Sequence, residues 1–148
     1  MQQGMQWGTK VRGPKLKISE DGLTVSDAAK NSKTGDDNLG RYRPCVANIS
    51  FKHGQHRISL KIVRPGRISV GVCTDAVKST CRERTKNAIY QICEAWTLCV
   101  PSKCNASDMN LWHAGVAMKS GLPGLSVGGQ LDMDLDTVNG TLTFLVDR

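Results

Sequence analysis

The chain has 148 residues, 39% of them apolar, six cysteines and a formal net charge of +7. That length fits one domain with a core of its own, and ordinary apolar content excludes wholesale disorder. No run approaches the roughly 18 consecutive apolar residues that a membrane-spanning helix needs, and Met1–Pro14 lacks the apolar stretch of a secretory signal. The expected location is therefore intracellular, in the cytoplasm.

In chain order, Met1–Pro14 is glycine-rich and polar and reads as a flexible tail before a domain over residues 15–148. Lys15–Ser19 alternates, Glu20-Asp21-Gly22 turns, and Leu23–Val25 resumes, which predicts a first hairpin. Asp27–Arg43 is polar and reads as a long exposed loop. Cys45–Phe51 is a strand candidate, and His56–Val63 alternates through Ile58, Leu60 and Ile62. Ile68–Val72 follows a Pro-Gly turn as another strand. The charged stretch Asp75–Gln91 breaks the pattern, with room for a helical turn or two over Asn87–Ile92. Ala95–Leu98 reads as a strand carrying a core tryptophan, Trp96. Val100–Asn110 reads as a polar loop, Leu111–Met118 as a short strand, and Ser120–Gly124 as a turn. Finally, Val127, Leu131, Met133 and Leu135 share one strand face, as do Leu142, Phe144 and Val146 in the next. Asn139-Gly140 between them predicts a tight hairpin. Short strands at close intervals, with turn residues between, point to an antiparallel all-β sandwich or barrel.

The chemistry-bearing residues point away from catalysis. No Ser/His/Asp or Cys/His grouping is supported by a local motif, and His53, His56 and His113 read as surface or structural histidines. No phosphate-cradling loop or dinucleotide fingerprint occurs. Asp132, Asp134 and Asp136 suggest a calcium loop, but Thr137 and Thr143 stand where its glycine and glutamate belong, so a solvated strand face is the favoured reading. The cysteines contain no C-x2-C pair, which favours reduced packing thiols over a zinc site or a disulfide framework. The sequons at Asn48, Asn105 and Asn139 are chance matches in a chain without a secretory route. No cofactor is expected. The positive charge is concentrated early, with 13 Lys/Arg against 5 Asp/Glu in residues 1–67 and 7 against 8 afterwards. These charges are scattered and aromatic residues are few, so nucleic acid stands only as the alternative partner.

Several segments together resemble a SPRY (B30.2-type) domain: Gly54-Gln55-His56 with Leu60, then Val70-Gly71-Val72, Ala95-Trp96-Thr97-Leu98, and the block Gly124–Phe144 with Asp132. Leu125 replaces an acidic residue common in that block, and Arg57-Ile58 stand where an aromatic is common. Domains of this kind continue for several segments beyond the strand of Phe144, so the resemblance implies an antiparallel β-sandwich short of its last strands. It also implies a non-catalytic module that grips a peptide or folded partner through loops at one end, the alternative being an incomplete structural fragment of a larger ubiquitin-ligase or scaffold protein. Carried onto matching positions, the partner-binding residues are Arg41, Tyr42 and Arg43, and Thr74, Asp75, Arg82, Arg84 and Tyr90 of the following loop. A basic loop face of this kind suits an acidic or polar protein segment.

Overall fold

The computed structural model describes residues 4–12, 16–27, 45–64, 68–75, 95–100, 109–125 and 128–146. Every regular element among them is a β-strand, and no helix there is long and apolar enough to cross a membrane. The chain divides into two compact units, one of residues 1–50 and 75–89, the other of residues 51–74 and 90–148.

The first unit holds β1 (Trp7–Arg12), β2 (Leu16–Ile18), β3 (Val25–Asp27) and β4 (Cys45–Ala47). The hairpin expected over residues 15–25 is present as β2 paired with β3. Its loop is closed by Asp21, whose carboxylate accepts from the Ser19 hydroxyl and the Leu23 amide, while Gly22 takes φ +73°. Those hydrogen bonds, the Ser19 one foremost, hold the Asp21 carboxyl below its ordinary range. Within the expected tail, Trp7–Arg12 forms a strand antiparallel to β4. Glycine makes this approach feasible: a Cβ on Gly8 would press on the Val46 carbonyl oxygen. The Cys45–Phe51 candidate is shorter than expected, because β4 ends at Ala47 and the Asn48 side chain then accepts from the Gln6 amide at 2.9 Å.

The second unit contains two antiparallel sheets. The three-stranded sheet has the order β11-β10-β5, from β5 (Gln55–Lys61), β10 (Gln130–Asp136) and β11 (Thr141–Val146). The four-stranded sheet runs β6-β7-β8-β9, from β6 (Ile68–Cys73), β7 (Ala95–Val100), β8 (Met109–His113) and β9 (Val116–Leu122). Alternation sets which side chains face inward. Leu131 lies between Leu60 and Val146, and Met133 between Ile58 and Phe144, so these two cross-strand rows are apolar, while the third sets Leu135 between His56 and Leu142. The core joins Leu131, Phe144 and Val146 of one sheet to Leu98, Val100 and Met109 of the other, with Ile62 and Leu125 between strands. This is a β-sandwich. Leu125 has no solvent exposure, so the position where an acidic residue is common belongs here to the core.

Two turns differ from expectation. Thr137–Gly140 is a four-residue loop, with Asp136 opposite Thr141 and only Gly140 at positive φ (66°). The two-residue loop with both residues at positive φ is Ala114-Gly115, at 50° and 76°. Leu111–Met118 is therefore not one strand but the hairpin joining β8 to β9, and β9 continues through the turn expected at Ser120–Gly124 as far as Leu122. Val127 and the expected helical turns over Asn87–Ile92 lie outside the described residues.

Candidate partner-binding face

On β7 the alternation places Trp96, Leu98 and Val100 on one face. Leu98 and Val100 are core, while Trp96 remains 39% exposed. The expectation of a core tryptophan is corrected by position along the strand: Trp96 lies one row past the end of the core. Register places Val72, Trp96, His113 and Val116 side by side across β6, β7, β8 and β9. The Trp96 and His113 rings stack with centroids 4.5 Å apart and planes 4° from parallel. His113 Nδ1–H donates to the Ala95 carbonyl at 3.0 Å; a carbonyl only accepts, which fixes the tautomer and the ring orientation. Val116 is 60% exposed at the end of the row. The result is a rigid aromatic and apolar ledge, backed by the core and open to solvent.

Cys73 and Ala95 are register partners, so the chain leaves β6 and re-enters β7 beside this ledge. Of the residues expected to bind a partner, Thr74 follows β6 directly and is exposed, and Asp75, the next residue, is exposed as well. Arg41, Tyr42, Arg43, Arg82, Arg84 and Tyr90 lie outside the described residues. The ledge itself was missed in the sequence. Its available signal was His113-Ala114-Gly115-Val116, which, read as a hairpin turn, sets His113 and Val116 in register.

A concave surface lies on the face of β5, β10 and β11 that carries the aspartates, and its lining includes Gln55, Arg57, Asp134, Asp136, Thr141 and Thr143. Here the three aspartates share one strand face, as expected, and each bonds to the residue opposite on β5. Asp134 takes two 2.6 Å bonds from the Arg57 guanidinium, and Asp136 accepts from Gln55 at 3.1 Å. Asp132 departs from the solvated-face expectation at 6% exposure. The Ser59 hydroxyl, and then the Gln130 amide, hold its carboxyl below the ordinary range. Asp136 is pushed down to about 2, chiefly by the Asn139 backbone amide, then by the Asn139 side chain and Gln55. These charges are engaged in tying β10 to β5 and closing the loop, so the surface serves the sheet.

The solved structure of the TRIM65 PSpry domain is similar to this chain, with a TM-score of 0.68 and 23% sequence identity, over 96% of this chain and 72% of that one. The fold is SPRY-like, and the all-β antiparallel sandwich expected from the sequence is present. No protein-family model and no curated protein sequence matches the chain.

Proposed function

We propose that this chain is a non-catalytic, intracellular protein-interaction module over residues 15–148. It takes a peptide or folded partner at the end of the four-stranded sheet where β6 and β7 connect. One observation carries the reading: Trp96, 39% exposed yet stacked on His113, stands in one cross-strand row with Val72 and Val116. A tryptophan fixed before binding contributes area at little entropic cost, and tryptophan is among the residue types that dominate interface energies. Arg41, Tyr42, Arg43, Asp75, Arg82, Arg84 and Tyr90 are proposed as further contacts, the arginines favouring an acidic segment through charge-assisted hydrogen bonds.

The test is peptide selection from a displayed library on the full chain, followed by affinity measurement. Trp96→Ala is expected to weaken selected peptides by about tenfold or more, the scale of an interface hot spot. An Arg41/Arg43/Arg82/Arg84 quadruple alanine variant is expected to lose preference for acidic peptides and the salt dependence that goes with it. Full binding by Trp96→Ala would remove the ledge from the site, and full binding by the quadruple variant would remove the arginines.

A further inference from the structure

The loop between β10 and β11 joins a chemically labile dipeptide to a side chain that restrains it. Of the seven asparagines in the chain, only Asn139 is followed by glycine. In such a pair the second amide nitrogen reaches the asparagine side-chain carbon readily, because glycine has no side chain to screen the approach. Val138, Asn139 and Gly140 are all exposed, and a Cβ on Gly140 would meet nothing within 4 Å. Water and hydroxide therefore reach the dipeptide. Asp136 holds it from within the loop. Its Oδ1 accepts from the Val138 amide at 2.9 Å and the Asn139 amide at 3.0 Å. Its Oδ2 accepts from the Asn139 carboxamide nitrogen at 2.8 Å.

We infer that Asn139 is a site of spontaneous deamidation, restrained by Asp136 while the loop is intact and destabilising to the loop once it has occurred. In the step, hydroxide removes the proton of the Gly140 amide and its nitrogen bonds to Asn139 Cγ. The side-chain nitrogen leaves as ammonia, taking a proton back from water. A second water then opens the cyclic imide at one of its two carbonyls, giving aspartate, or isoaspartate with the backbone rerouted through Cβ. A carboxamide anchored on Asp136 does not turn freely to present Cγ to the Gly140 nitrogen, so the 2.8 Å bond slows the attack. Conversion replaces that donor with a carboxylate facing Asp136 Oδ2, and a hydrogen bond becomes a contact between like charges. Isoaspartate also adds a methylene to the backbone of the loop that sets Asp136 opposite Thr141. The hairpin loaded in this way supplies Leu131, Phe144 and Val146 to the core. Nothing in the inference depends on the Trp96 ledge, and it holds or fails independently of partner binding there.

The experiment is a time course of the full chain in mildly alkaline buffer, folded and in denaturant, with peptide mass mapping of the amide-to-acid gain at Asn139. Conversion is expected in both, and more slowly in the folded chain. Asp136→Asn, checked as folded by circular dichroism, should convert faster than the unmodified chain by about fivefold, the factor that one net hydrogen bond supplies. In denaturant the two should convert at the same rate. The product is tested separately with Asn139→Asp, whose unfolding midpoint should lie below that of the unmodified chain at neutral pH. Adding Asp136→Asn to it exchanges the two groups and restores an amide–carboxylate pair, so the double variant should be more stable than Asn139→Asp alone. No mass gain at Asn139 overturns the inference. So does equal conversion in the folded and denatured chains, a folded Asp136→Asn that converts no faster, an Asn139→Asp as stable as the unmodified chain, or a double variant no more stable than Asn139→Asp.

Discussion

Gly71 lies where β6 runs closest to β7. A Cβ there would collide with the Trp96 carbonyl oxygen and come within 2.8 Å of the Thr97 Cα, both backbone atoms that cannot rotate away. Gly71→Ala is expected to destabilise the chain by about 1–3 kcal/mol, the cost of overpacking a site that must shift backbone, measured by denaturant unfolding. Thr97, the residue Gly71 pairs with, carries a cost of a different kind. It is 1% exposed and its hydroxyl finds no partner among the described residues. Valine keeps the β-branched outline without the stranded hydroxyl, so Thr97→Val should raise stability by about 1 kcal/mol in the same assay. Gly71 was legible as part of a Val-Gly-Val motif, though its reason was not, because the pressing atom comes from Trp96, 25 positions along the chain. The fate of Trp96 was half legible: alternation put it on the inner face, but only the structure shows that the core ends one row earlier.

Among the elements, those whose pattern is local were readable. The hairpin β2–β3 and the strands β5, β6, β7, β10 and β11 all carry period-two alternation or a turn residue at the right place. β1 was not readable, since its partner β4 is remote in sequence and Gly8, which resembles a loop residue, is what admits close pairing. The β8–β9 hairpin was hidden by Ala114, an alanine in a left-handed turn position where asparagine or glycine is usual. Ala114→Asn should therefore stabilise the chain by about 1 kcal/mol, the penalty of a left-handed alanine. The β10–β11 loop makes a pH prediction. Asp136 titrates at about 2 when folded, below its ordinary 3.8. A depressed carboxylate contributes stability that is fully present above the ordinary value and is lost as pH falls through the folded one. Unfolding midpoints measured between pH 4 and pH 2 should fall less steeply in Asp136→Asn than in the unmodified chain.

For the molecule as a whole, the SPRY-like fold sets the proposed ledge on four strands held in register. The resemblance read from four short segments gave the architecture, because those segments fall on or beside the strands β5, β6, β7, β10 and β11. It could not reveal the ledge of Val72, Trp96, His113 and Val116, which exists only once four strands are in register. The aspartates show the same limit: their common face was legible, while the bonds from Ser59, Arg57 and Gln55 depend on β5 lying beside β10. The most direct test of the ledge as the binding surface is a backbone and side-chain chemical-shift map of the full chain, titrated with a library-selected peptide. The largest changes are predicted at Val72, Trp96 including its indole N–H, His113 and Val116, with little change at Arg57, Asp134 and Asp136. Saturable binding that leaves the ledge unperturbed and shifts the β5–β10–β11 outer face instead would contradict the account.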